Sequence, residues 1–306
     1  MLVKSTAATA ILDRLATQRR RIVSDWRALL LLRQATVDVP PDGRRWSTMP
    51  DDVANIYPLL RQMVARGEIT PLPKLHYIYA VTVPYARTGP PQEDEVLMEV
   101  NPYAAISHLS ALVYHRLTDD LPQALTAMFP PYQTAGVLPI GTTSEDWEGL
   151  TLVIGRRPDI IVGQRMHWIR VPPDRYFGVQ DYRPNGYPVR VTTPERTLID
   201  GLQTPDLCGG FDNVLHAWAR ARDSLNLDAL VSVVEQFNVG ILRQRVGFIL
   251  DQLDLAHPPV EAWRAHAQRG GSSRLLGTAP YDGTTYSARW NLSINAPIAV
   301  LTENSA

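Results

Sequence analysis

Between Thr6 and Val81 three helical apolar stripes are followed, past a glycine, by two short β-prone runs, and few small folds accept that order. Ala7, Ala10, Ile11 and Leu15 recur at helical spacing over Thr6 to Ala16. A second helix is expected over Ile22 to Gln34, with Ser24 available as a cap and Trp26, Leu29, Leu30 and Arg33 following at three- and four-residue steps. Pro40, Pro41 and Gly43 then break the pattern. A third helix is expected from Asp51 or Asn55 to Arg66, burying Ile56, Leu60, Met63 and Val64, with Pro58 in its first turn and Gly67 as its stop. Strands follow at Ile69 to Leu72 and His76 to Val81. This is the order of a winged helix-turn-helix, with the third helix entering the major groove and the Pro73-Lys74 turn as the wing.

The stretch Tyr85 to Glu95 is rich in Pro, Gly and polar residues and reads as a linker, so the expected domains are 1–88 and 89–306. Whole-chain charge conceals a difference across it, because 30 Lys+Arg against 31 Asp+Glu give only −1. Residues 1–88 hold 13 basic and 7 acidic side chains, 13 − 7 = +6, whereas 89–306 hold 17 and 24, 17 − 24 = −7. A basic module that meets a polyanion, joined to an acidic body, is one reading; a chance fluctuation is the other. On the third helix Asn55, Arg61 and Gln62 lie opposite the core stripe and are of types that read base edges or hold phosphates. Arg19, Arg20, Arg21, Arg44, Arg45 and Lys74 are expected to give sequence-independent phosphate contacts. The competing reading is a protein-interaction domain with a solvated Arg-rich face.

The body reads as mixed α/β, making the whole chain α+β. A helix is expected over Asn101 to His115, then a turn-rich stretch from Asp119 to Ala135. Strands are expected at Leu150 to Ile154, Ile160 to Val162, His167 to Val171 and Tyr187 to Val191. A helix opening at Thr192-Thr193-Pro194-Glu195 has capping-box spacing between Thr192 and Glu195. Helices at Phe211 to Arg222, Leu227 to Phe237 and Ile241 to Leu253, and a strand over Thr285 to Ile294, complete it.

No phosphate loop, dinucleotide fingerprint, nucleophile elbow or zinc helix occurs, so no catalytic, cofactor-binding or metal-ligating residue is assigned and no cofactor is expected. His108 and His115 are seven apart without a carboxylate at helical spacing, which favours core or interface histidines over a metal pair. Pro158-Asp159 before an apolar run resembles the start of a nuclease carboxylate motif, but no Lys follows Lys74. Glu195 and Arg196 read as a capping acid beside an exposed Arg, and the single Cys208 as an inert buried thiol. With one cysteine, no secretory leader and no apolar run beyond Ala28 to Leu32, a cytoplasmic protein without a membrane partner is expected.

Leu60-x-x-Met63-Val64-Ala65-Arg66-Gly67-Glu68-Ile69, Ile106 to Leu112, Val191 to Asp200 and Gly209-Gly210 before a helix pair together resemble the AbiEi antitoxins of abortive-infection toxin–antitoxin pairs. The resemblance covers most of the chain in order. It implies an N-terminal domain that binds inverted repeats in its own promoter on double-stranded DNA and represses the operon. It further implies a C-terminal domain that counters a cognate nucleotidyltransferase toxin as a type IV antitoxin, without a stable complex. Alternatives are a winged-helix-targeted nuclease and a ligand-sensing regulator.

Overall fold

Thr6 starts the first helix by accepting the Thr9 amide, and α1 (Ala7–Thr17) buries Ala10, Ile11 and Leu15 as its spacing predicts, with Ala8 buried in place of Ala7. The computed structural model describes residues 4–82, 90–131, 137–184, 186–270 and 273–303. Next come β1 (Ile22–Ser24), α2 (Asp25–Asp38), α3 (Tyr57–Ala65), β2 (Ile69–Leu72) and β3 (Leu75–Val81). The second helix begins later than expected because Ile22, Val23 and Ser24 pair antiparallel with β3. Ser24 then caps α2 by accepting the Arg27 amide. Likewise α3 starts at Tyr57, after a short 3-10 turn over Val53–Asn55, and Pro58 falls in its first turn.

The end of α3 is set by Gly67, whose φ of 69° is left-handed. Its amide reaches the Val64 carbonyl and that of Glu68 reaches Met63, the paired closure that lets the chain reverse into β2. The sheet order is β1-β3-β2, antiparallel throughout. Pro71 lies on the edge strand, where its missing N–H breaks no inner ladder, and the register shifts between Pro71 and Leu72.

Further along are α4 (Glu93–Val100), β4 (Ala105–Ile106), α5 (His108–Tyr114), β5 (Leu125–Phe129), β6 (Ile160–Ile161), β7 (Gln164–Arg170), β8 (Val179–Tyr182) and β9 (Val189–Thr192). Then follow α6 (Pro194–Gln203), α7 (Phe211–Ala221), α8 (Leu227–Phe237), α9 (Gly240–Gln252), α10 (Pro258–Trp263), β10 (Tyr286–Ser287), β11 (Leu292–Ser293) and α11 (Val300–Glu303). The chain is a mixed α+β protein. Several expectations are corrected. Residues 83–89 of the expected linker lie outside the described residues, but Glu93, Asp94 and Glu95 form the first turn of α4, where carboxylates favour a helix N-terminus. The expected helix over Asn101 to His115 is shorter: Asn101 turns back on the Tyr103 amide, and Ile106 pairs parallel with Val191. The Asp119 to Ala135 stretch, of which 132–136 lie outside the described residues, contains β5. Leu150 to Ile154 forms no strand, and the late strand is a short β10–β11 pair.

Two compact units divide the chain. The first comprises Met1–Ala105, Phe129–Arg170 and Asp181–Arg190, and so does not end at residue 88. The reason is α2, which is buried continuously from Asp25 to Leu32. Ala28, Leu29 and Leu31 join Ile11, Leu15, Ile56, Leu60 and Met63 in one cluster. Trp26 and Leu30 join Tyr103 and Ile154 in another, against which Leu150, Leu152 and Trp147 pack. The chain after residue 88 therefore supplies the second cover of this helix.

The second unit comprises Ile106–Met128, Val171–Gln180 and Val191–Ala306. Its core gathers Leu198, Leu215, Trp218, Val234, Ile249 and Trp290. At Gly247 an added Cβ would strike the Trp290 ring, so glycine is required for that helix to approach the indole. The capping residue of α6 is Thr193, one place later than expected: extended before Pro194, it accepts the Arg196 amide. Arg196 is buried, not exposed; it pairs with Asp200 at 2.8 Å and lies over Phe177 and Phe237. Among the described residues no helix is long and apolar enough to cross a membrane.

Candidate nucleic-acid interface

The buried side of α3 is Leu60 and Met63, and its outward side therefore carries Tyr57, Pro58, Arg61, Gln62, Ala65 and Arg66. Arg66, expected only as the end of the helix, stands one turn beyond Gln62, and its place on this side follows from that spacing. Asn55 is exposed but belongs to the preceding turn, where its side-chain amide donates to Asp51 Oδ1 at 2.8 Å. Asp51 and Asp52 are also exposed, so charge changes sign along this surface, acidic before α3 and cationic over its second half.

Lys74 occupies the β2–β3 hairpin turn with φ of 65°, a conformation a lysine adopts at some cost, and is exposed. Arg19, also with positive φ, and Arg45 are exposed. Arg19, Arg45, Arg61 and Lys74 make no ion pair with any described residue. Arg44 is half-buried and donates to the Thr36 carbonyl at 3.1 Å.

Arg20 and Arg21 do not belong with these cations. Arg20 is buried, and its Nη1 donates to Glu99 Oε1 at 3.0 Å. The same oxygen accepts from Arg27 Nε at 3.0 Å, while Glu99 Oε2 accepts from the Ser24 amide at 3.2 Å and its hydroxyl at 2.6 Å. Arg27 also donates to the carbonyls of Ile140 and Gly141. Every lone-pair direction of this carboxylate is thus occupied, as a buried charge requires. Burial by itself would raise the Glu99 carboxyl, but Arg27, Arg20 and Ser24 outweigh it and hold it below its ordinary value. Burial lowers Arg20 to about 10. Arg21 Nη2 pairs with Glu95 Oε2 at 2.6 Å. These two arginines are structural ion pairs of the first unit, held by carboxylates of α4.

Other chemistry-bearing residues have structural partners. His108 Nδ1 meets Ser107 Oγ at 2.9 Å and His115 Nε2 meets the Thr192 carbonyl at 2.7 Å, so the two histidines do not converge. Burial lowers His115 below its ordinary value. Glu195 accepts the Asn226 amide, and Asp159 is exposed. Among the described residues no group of three His, Cys, Asp or Glu is placed to hold a metal ion. Cys208 is fully buried and burial raises its thiol far above its ordinary value, which keeps it protonated and inert.

One concavity of the first unit was not foreseen. A cleft of about 240 Å³ is lined by Asp25, Tyr57, Tyr77, Glu99 and Arg156, together with residues 151–155. Asp25 Oδ1 accepts the Trp26 amide at 2.8 Å, and Oδ2 accepts from Tyr57 Oη at 3.2 Å. Nothing in the local sequence brings Arg156 to this carboxylate.

The fold is similar to that of the RV2827C protein from Mycobacterium tuberculosis, whose crystal structure aligns with a TM-score of 0.50 at 14% identity. The alignment covers 98% of this chain and 94% of that one, so the likeness is one of fold along nearly the whole of both. No family model and no curated protein matches the chain.

Proposed function

We propose that this protein is a double-stranded-DNA-binding autorepressor that also serves as the antitoxin of a type IV pair, as its resemblance to the AbiEi family implies. The order α1, β1, α2, α3, β2, β3 supports reading the N-terminal part as a winged helix-turn-helix, with α3 in the major groove and the Pro73-Lys74 turn as the wing. The observation that carries the reading is the outward side of α3, where Arg61 and Gln62 are exposed and Arg61 has no ion pair among the described residues. A guanidinium matches the two acceptors of guanine and a carboxamide the donor and acceptor of adenine. Lys74, Arg19, Arg45 and Arg66 add phosphate contacts.

The operator is the inverted repeat of the protein's own promoter, and the residues after 88 counter a nucleotidyltransferase toxin without forming a stable complex. Fluorescence anisotropy on a duplex taken from upstream of the coding sequence tests the first part. Binding that weakens steeply with salt is expected. Absence of binding at moderate salt, or binding unchanged in Arg61→Ala, overturns it. Growth rescue on co-expression with the neighbouring nucleotidyltransferase, without co-purification, tests the second.

A further inference from the structure

The cleft beside Tyr57 already holds one organic cation, supplied by the chain itself. The Arg156 guanidinium lies 3.7 Å from the centroid of the Tyr77 ring, and its Nη2 is 3.6 Å from Asp25 Oδ2. That separation is too long for a hydrogen bond, so Arg156 neutralises Asp25 without saturating it. The Asp25 side chain is 5% exposed, whereas that of Arg156 is 50% exposed. Arg156 also projects from 151–158, a segment with no helix or strand to hold it, although its amide is tied to the Val100 carbonyl. The carboxylate is therefore buried while its partner is half-exposed.

The charge of the lining has the same sense. Asp25, Asp52 and Glu99 line the cleft against Arg156 alone, and Glu99 is already matched by Arg20 and Arg27. Burial raises the Asp25 carboxyl above its ordinary value despite Arg156, which marks its charge as under-compensated. A carboxylate next to an aromatic face is the chemistry that selects delocalised cations, and Tyr77 presents such a face. The volume lies just below the roughly 300 to 1,000 Å³ of sites for larger ligands and suits a compact molecule.

We propose that this cleft is a binding site for a compact, planar organic cation of the guanidinium or amidinium type, which takes the Asp25 carboxylate and the Tyr77 face in place of Arg156. The site stands on the first unit alone and does not depend on the DNA-binding reading.

Benzamidine is a suitable probe, with neutral benzamide and anionic benzoate as matched controls, in titration calorimetry on the full chain. Benzamidine is expected to bind saturably and the controls not to. Asp25→Asn should weaken it about tenfold or more, since a charge-assisted contact is lost. Arg156→Ala should strengthen it several-fold by removing the tethered competitor, a gain that misfolding cannot produce. The proposal is overturned if neither wild type nor Arg156→Ala binds benzamidine, if benzoate binds instead, or if Arg156→Ala weakens binding in protein whose thermal unfolding is unchanged.

Discussion

Two sets of cations in the N-terminal part of the chain have opposite fates. Arg20, Arg21 and Arg27, around β1 and the start of α2, turn inward onto Glu95 and Glu99. Arg61 and Lys74, on α3 and the hairpin that follows, stand in solvent without acidic partners among the described residues. A charge count weighs both sets equally, yet only the second can displace counterions from a phosphate backbone. The excess of +6 over residues 1–88 therefore overstates what this surface offers a polyanion.

The largest effect that could break this contrast is on stability. Glu99→Ala leaves two buried guanidiniums unmatched and should cost about 3–5 kcal/mol in denaturant unfolding; a loss below about 1 kcal/mol would show that the inward set is dispensable. The same pair predicts an acid sensitivity. The folded Glu99 carboxyl is the stronger acid, so its stabilisation is complete above the unfolded value and is lost as pH falls through the depressed folded one. The stability difference between wild type and Glu99→Gln should shrink over that range. An unchanged difference would contradict the assignment.

Next in size is the outward set. Arg61→Ala should cost about 1–3 kcal/mol in operator binding, and each lost phosphate contact should reduce the salt slope by about one. Unfolding should move by no more than about 0.5 kcal/mol, as for surface positions in general. The smallest effects come from the two left-handed positions flanking β2. Gly67→Ala should destabilise by about 1 kcal/mol from backbone strain alone, since its added Cβ meets nothing. Lys74→Gly relieves such strain and should lower DNA affinity without lowering the melting temperature; a drop in both would tie Lys74 to the fold.

Local pattern made α1, α3, β2, β3 and most of α7 to α9 legible, because each rests on its own spacing, caps and stops. The exposed positions of α3 follow from the same period once Leu60 and Met63 are assigned inward. Long-range partners were illegible. Arg20 and Arg21 look like surface cations until carboxylates 79 and 74 residues downstream reach them. Those carboxylates sit on α4, which the neighbouring prolines and glycine disguise as a linker. Leu150, Leu152 and Ile154 are apolar because they pack against the cluster of Trp26 and Leu30, not because they pair in a sheet. The Asp25 cleft was missed for the same reason, since its guanidinium arrives from 156 while its carboxylate opens α2.

The burial of the first half of α2 on all sides also has a bearing on heredity. A chain ending at residue 88 would bare Trp26 and Leu30 and strip Arg20 and Arg27 of their carboxylate, giving an apolar patch next to uncompensated charge. The N-terminal segment is consequently a poor candidate for shuffling between proteins. Recombination that respects this helix must carry α4 and the 137–156 segment with it, so the exposed face of α3 and its hairpin can change by substitution more readily than by exchange of the segment as a cassette.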